Sequence, residues 1–222
     1  IKKMLIIKFE NGQGLGNQLW SFTVAKSLSE KLNTELYIED FHKFKGKDFL
    51  KLNYQTIKDI NLENKLINNS IKSFNERTFY DSKFKYLLTG FDERVLKIKE
   101  DTLLKGNFQS EKYFFDDLEK LNNYILIKKN IKKEINIDSE TCILNIRGGE
   151  YKRHKNFLLP IKYWTNAMEN FRSRFNINKF KIVTDDYKYA RSIFPNLEVI
   201  HGDIKKCYLS IYKCSNIIVS NS

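Results

Sequence analysis

The stretch Asn145-Ile146-Arg147-Gly148-Gly149-Glu150 sets an arginine, two glycines and a carboxylate side by side. A planar guanidinium can grip two phosphate oxygens at once, and glycines beside it leave space for a ligand. Lys152, Arg153 and Lys155 add positive charge, although an ion-paired surface turn fits the same residues. Gly14-Leu15-Gly16-Asn17-Gln18-Leu19 is a second candidate. Glycines allow close backbone approach, and free N–H groups at a helix start favour an anion. A tight strand-to-helix turn would need the same glycines for steric reasons. Leu19 stands where a dinucleotide fingerprint needs its last glycine, and no Gly-Lys-Ser/Thr ending marks an ATPase-type loop. Asp185-Asp186 could bind a metal, accept a hydrogen bond from a base or ribose, or act as a general base. A helix N-cap explains them as well, Asp186 above all. His42, His154 and His201 lack metal-ligand spacing, and Cys207 and Cys214 lie about two turns apart on one expected helix. No metal centre is expected, because the arginine chemistry makes a cation unnecessary.

The elements that must position these residues follow from the apolar pattern. Met4–Phe9 reads as a strand that ends in the first glycine loop. Leu19, Phe22, Ala25, Leu28 and Leu32 then recur at helical spacing, and Leu36–Ile38 is another strand. Strand, loop, helix, strand opens a parallel α/β sheet. Residues 41–105 are irregular and rich in Lys and Asn, and insertions and helices are expected there. A polar helix is expected over 116–133. Thr141–Ile146 is a buried-strand pattern broken by the Arg147 loop. Pro160 then opens a helix whose stripe is Ile161, Trp164, Met168, Phe171 and Phe175. Strands at 180–184, 197–200 and 216–220 alternate with helices through Ala190 and over 205–214. The two series predict an α/β protein of two Rossmann-like domains, residues 1–137 and 138–222, with ligand in the crevice where the strands end. The last strand lacks a covering helix, so a longer C-terminus is expected.

Composition narrows the classes. The 222 residues are 41% hydrophobic and 14% aromatic, enough for a real core and against disorder. No apolar run is long enough to span a bilayer, and Ile1–Phe9 lacks the features of a signal peptide. Three cysteines make no disulfide framework and fit a reducing compartment. A cytoplasmic protein without an integral membrane segment is the expectation. The net charge of +12 comes from 39 Lys+Arg against 27 Asp+Glu. These cations are spread along the whole chain, so no nucleic-acid face is expected. An anionic substrate, or the inner membrane face for a peripheral protein, would still attract such a chain.

Together the motifs resemble those of the α-1,2-fucosyltransferases, glycosyltransferase family 11. Gly14–Leu19 resembles the family's GGLGNQ signature, and Phe108–Phe114 matches its FQSEKYF segment without substitution. Asn145–Glu150 is similar to its HxRxGD motif, Val183–Asp186 to its (I/V)xSDD motif, and Asn216–Ser222 to the start of NSxFSWW. The matches keep the family's order along nearly the whole chain. Gln13 replaces the first glycine of the first signature. In the third motif, Asn145 replaces histidine, Gly148 the second arginine and Glu150 the aspartate.

The resemblance implies a GT-B-type architecture that binds acceptor on the first domain and GDP-fucose on the second. It implies an inverting transfer of L-fucose to a hydroxyl of a glycan, α-1,2 to galactose in surface polysaccharide synthesis. The acceptor could be lipid-linked, and no cofactor is needed beyond the donor. Arg147 would stabilise the charge on the leaving β-phosphate, helped by N–H groups of Gly14–Asn17. Asn145 and Asp185 stand at the guanine-contacting positions. Gly14, Gly16, Asn17, Gln18, Gly149, Asn221 and Ser222 complete the donor side. Gln109 and Glu111 either line the acceptor side or cap the next helix. The general base stays open among Glu150, Glu111 and Asp186. A same-fold transferase with another nucleotide sugar and a non-catalytic glycan- or nucleotide-binding module are the alternatives.

Overall fold

The computed structural model describes residues 3–54, 71–83, 86–115, 118–131, 135–153 and 157–220. The chain divides into two compact units, Ile1–Lys128 and Lys129–Ser222. Sequence patterning places the division at residue 137. It falls earlier because Ile137 packs on the core of the second unit and Lys213 donates to the Ile135 carbonyl.

The first unit begins as expected with a strand at Met4–Lys8 (β1), a helix at Leu15–Lys31 (α1) and a strand at Glu35–Glu39 (β2). Then come Leu50–Leu52 (β3), Lys72–Asn75 (β4), Thr78–Asp81 (β5), Tyr86–Thr89 (β6) and Thr102–Lys105 (β7). Four of these strands form a parallel sheet in the order β2-β1-β7-β4. Phe22, Ala25 and Leu28 of α1 are fully buried. Several of its hydroxyl residues are also buried, with bonds such as Thr23 Oγ1 to the Leu19 carbonyl at 2.7 Å.

Two expectations for this unit change. The described part of residues 41–105 holds strands and 3-10 turns, including an antiparallel β5–β6 hairpin. The polar helix expected over 116–133 shrinks to Leu121–Tyr124 (α2), followed by a strand at Ile125–Ile127 (β8). β8 pairs antiparallel with β3, Leu50 opposite Ile127 and Leu52 opposite Ile125. A short apolar run flanked by polar residues lacks a stripe long enough to bury as a helix, and a partner strand satisfies its backbone instead.

The second unit alternates Thr141–Ile146 (β9), Ile161–Phe175 (α3), Lys179–Thr184 (β10), Tyr187–Ile193 (α4), Glu198–Ile200 (β11), Ile204–Lys213 (α5) and Asn216–Val219 (β12). Its parallel sheet has the order β11-β10-β9-β12. Cys142, Leu144 and Ile146 of β9 pack with Trp164 and Met168 on one face, and Ile143 packs with Val183 and Ile200 on the other. Burial on both faces is why β9 reads as a continuous apolar run. The α3 stripe is buried only at its middle, since Ile161 and Phe175 are 54% and 62% exposed. Burial pushes the Cys142 thiol up to about 12, which makes it an inert core residue. Among the described residues, no helix is long and apolar enough to cross a membrane.

Candidate functional site

The second unit's site is built by strand register. β9 and β10 run parallel with Ile146 opposite Thr184, so the next residues, Arg147 and Asp185, meet at the carboxyl end of the sheet. Ligands in open α/β sheets bind at that end. Arg147 Nη1 lies 3.0 Å from Asp185 Oδ2, while Asp185 Oδ1 accepts the Gly148 N–H at 2.9 Å. Both carboxylate oxygens are therefore committed within the protein. In this structure Asp185 positions Arg147 and the turn behind it, and its exposed carboxylate keeps further acceptor sites.

The remaining faces of Arg147 are less occupied. Its Nη2 is 3.9 Å from Glu150 Oε1, its guanidinium lies 5.3 Å from the Tyr151 ring centre, and its Nε is buried without a hydrogen-bond partner. A buried unpaired donor is costly unless something accepts from it. Arg147 is thus held by Asp185 along one edge while its side chain stays 34% exposed.

The two glycines are fixed by close approach. A Cβ on Gly148 would come within 2.7 Å of Tyr189 Cδ1 and 2.8 Å of Asp186 Cβ. A Cβ on Gly149 would fall 2.6 Å from Asp185 Oδ2, the oxygen that holds Arg147. Asp186 caps α4 by accepting the Tyr189 N–H at 3.0 Å and pairs with Lys152. The Lys152 ammonium, followed by the cap bond, holds its carboxyl below the usual range. Asp186 is a cap and Lys152 its partner, so Glu150 pairs with neither Lys152 nor Arg153 in this structure. The Asn145 carboxamide, half-buried on β9, makes no hydrogen bond among the described residues. Asn221 and Ser222, and also His154 and Lys155, lie outside the described residues.

In the first unit, Gly14 is the N-cap of α1 and no side chain caps its backbone. Gly14, Gly16 and Asn17 are exposed. Gly14 has an ordinary φ of −68, and an added Cβ on Gly14 or Gly16 would meet nothing within 4 Å. Steric need at the turn therefore does not explain these glycines; the residue with a left-handed φ, +81, is Gly12. Gln18 is different. It is fully buried, donates to the Lys43 carbonyl at 3.0 Å and accepts the Lys45 N–H at 2.9 Å. Its amide ties down the turn after β2.

A cavity of about 450 Å³ sits at the carboxyl ends of β1 and β7, lined in part by Lys8, Glu10, Gln13, Asn107 and Phe108. Its Asn107–Phe108 wall depends on Glu76, which the sequence reading missed. The buried Glu76 carboxylate accepts the Asn107 N–H at 2.9 Å, the Phe108 N–H at 2.7 Å and the Tyr113 hydroxyl at 3.2 Å. Phe108 adopts a left-handed φ of 49, held from the other side by the Trp20 indole, which donates to its carbonyl. The FQSEKYF segment is thus partly a scaffold, with Phe108, Tyr113 and Phe114 buried and Gln109 and Glu111 exposed. The Ser110 side chain makes no cap bond to the short 3-10 turn that follows. An acidic residue before an arginine in a polar stretch gives no sequence signal of burial.

Burial pushes the Glu76 carboxyl above its ordinary value, against the lowering effect of its donors. A raised folded-state value means that the folded chain holds the proton more tightly than the unfolded one. The associated stability is complete below the unfolded value of about 4.3 and is lost as pH rises through the folded value. Glu76→Gln keeps an acceptor for both N–H groups without the charge. Melting curves from pH 4 to 7 should show a downward trend in the native protein that Glu76→Gln lacks, while Glu76→Ala should cost about 2–3 kcal/mol at pH 4 and less as pH rises. Identical pH trends would remove Glu76 from this account.

No protein-family profile and no curated protein sequence matches the chain. Solved structures do match. The crystal structure of Se-Met fucosyltransferase NodZ from Bradyrhizobium superposes with a TM-score of 0.53 and 12% identity, covering 98% of this chain and 87% of that one. This chain shares that fold. It is the GT-B-type α/β architecture with two Rossmann-like units. A second crystal structure of fucosyltransferase NodZ from Bradyrhizobium gives a TM-score of 0.48 at 11% identity, over 98% and 88% of the two chains. Among the described residues, no group of three or more His, Cys, Asp or Glu is placed to hold a metal ion.

Proposed function

We propose that this chain is an inverting glycosyltransferase that moves L-fucose from GDP-fucose to a hydroxyl of a glycan, as its motif resemblance to α-1,2-fucosyltransferases suggests. The observation that carries the proposal is Arg147, fixed by Asp185 at the carboxyl end of β9 with its side chain still 34% exposed. The shared fold with a protein described as a fucosyltransferase is consistent with it.

The acceptor oxygen forms a bond to the anomeric carbon as the bond from that carbon to the β-phosphate oxygen breaks. The electron pair leaves on GDP, and Arg147 meets the charge that develops there. Glu150, 74% exposed at its side chain and beside Arg147, is the carboxylate we assign to take the hydroxyl proton. The diphosphate lies against the exposed part of the Arg147 guanidinium, and Asn145 offers an amide to the base. The arginine makes the transfer independent of a divalent cation. We place the chain at the cytoplasmic face, where nucleotide sugars are made.

The commitment of Asp185 to Arg147 favours a second reading, transfer from a different nucleotide sugar, because Asn145 alone is then left to read guanine. A thermal-shift series separates the two. GDP and GDP-fucose at 100 times their dissociation constants should each stabilise the protein by about 2.7 kcal/mol, UDP and ADP should do so far less, and slow hydrolysis of GDP-fucose should persist in EDTA. Equal stabilisation by UDP would end the fucosyl reading and leave the fold. Strict dependence of hydrolysis on manganese or magnesium would end the assignment of phosphate chemistry to Arg147.

A further inference from the structure

Beyond the carboxyl end of β4, a cavity of about 440 Å³ is lined by Arg77, Phe79, Phe91, Glu93, Arg94 and Lys97, with Asp92 at its base. That volume is within the range of small-ligand sites. Asp92 is 6% exposed and chelated by Arg94, whose guanidinium holds its carboxyl down at about 2. Arg94 spends Nε and Nη2 on Asp92 and the Asn75 carbonyl, and its Nη1 makes no hydrogen bond among the described residues. Among the same residues, neither the Arg77 guanidinium nor the Lys97 ammonium pairs with a carboxylate. The cations that face this cavity therefore have donors to spare.

Other features of the lining narrow the occupant. Phe79 is 59% exposed and presents a ring to the cavity, a surface on which a pyranose stacks. Glu93 can accept from hydroxyl groups yet repels a surface of packed anionic headgroups, so the lining suits a ligand that carries both hydroxyls and one acid group. The cavity also adjoins the Glu76-held turn: Arg77 N–H donates to Asp92, and the adjacent Glu76 holds Asn107 and Phe108 of the first cavity. A second space of about 250 Å³ shares Arg94 and Lys97 and continues along the edge strand β4 past Lys72 and Phe74. The carboxyl ends of β7 and β4 thus border neighbouring polar spaces within one unit.

We propose that the Arg77–Phe79–Lys97 cavity is a subsite for an acidic sugar residue of the glycan acceptor. The acid group lies between Arg77 and Lys97, the ring lies against Phe79, and Glu93 accepts from ring hydroxyls. The substrate is then an acidic glycan, an identification that rests on the transferase reading above.

The test is isothermal titration of the full chain with tri-galacturonate and with neutral galactotriose. Tri-galacturonate should bind at least about tenfold tighter, and Arg77→Ala and Lys97→Ala should each remove about tenfold of its affinity while barely changing that of galactotriose. Phe79→Ala should weaken both sugars. Lys188→Ala, an exposed cation on α4 of the second unit, should change neither. Circular dichroism melts check that each variant folds. Equal affinity for the two sugars overturns the proposal, as does an equal loss from Lys188→Ala. So does binding to phosphatidylglycerol vesicles that Arg77→Ala abolishes without any preference for tri-galacturonate, which would assign these cations to a lipid surface. Hydrolysis of GDP-fucose, measured in the same samples, keeps the two readings apart. Its absence beside a charge-selective, Arg77-dependent sugar affinity removes the transferase and leaves the subsite; its presence without that selectivity does the reverse.

Discussion

Arg147→Lys should lower the rate of fucosyl transfer by about 100- to 1000-fold, the usual effect of losing one well-aimed donor to developing charge. Lysine keeps the charge but loses the planar fork, so it cannot hold Asp185 with one edge and a phosphate with another. Arg147→Ala should fall further. The sequence alone suggests an arginine facing solvent, with little to lose in folding. In the structure its side chain is 34% exposed and paired at 3.0 Å. Removal should then cost about 1 kcal/mol of stability at most, because a partly solvated pair is screened. Lys152→Ala is the control. Its partner Asp186 keeps its cap bond to Tyr189, so transfer should fall little. Steady-state transfer rates with melting temperatures decide the matter. Near-full turnover in Arg147→Lys, with loss in Lys152→Ala, would move the phosphate site to the wrong side of this loop for our account.

The neighbouring glycines should fail in opposite ways. Gly148→Ala forces a Cβ against Asp186 Cβ and the Tyr189 ring, atoms set by the start of α4, and should cost about 1–3 kcal/mol of stability. Gly148→Arg, which restores the second arginine of the resembled motif, should be at least as destabilising. At Gly149 the obstacle is Asp185 Oδ2, the end of a side chain that can swing away. Gly149→Ala should therefore fold nearly normally but release Arg147. A displacement of about 1 Å can cost a factor of about 100, so transfer should fall toward that size while the melting temperature holds. If Gly148→Arg is stable and more active than the native protein, the packing of this turn has been misread. If Gly149→Ala keeps full activity, Asp185 is not what positions Arg147.

The fold prediction shows where one sequence suffices. Strands β1 and β9 are legible because each is buried on both sides, so its residue types carry the whole signal without help from a partner. The helices α1, α3 and α5 carry apolar spacing strong enough to read in isolation. Legibility fails at β8, β5 and β6. These short strands exist only because another segment pairs with them, and nothing in Ile125–Ile127 names Leu50–Leu52 as that segment.

The residues of the candidate site divide along the same line. Type and order mark which groups could meet a phosphate, although an ion-paired surface turn fits the same residues. What those groups do to one another was decided by register. Ile146 opposite Thr184 brings Arg147 to Asp185 and pairs the two. Gln18 gave the same chemical signal as Asn17 until burial committed its amide to Lys43 and Lys45. Glu76 gave none at all, because a carboxylate shows its worth only when three donors from a segment some thirty residues away converge on it. Sequence determines which side chains are chemically able, through local pattern and residue type. Tertiary structure decides which of them remain free, because hydrogen-bond capacity is finite and long-range neighbours take it first.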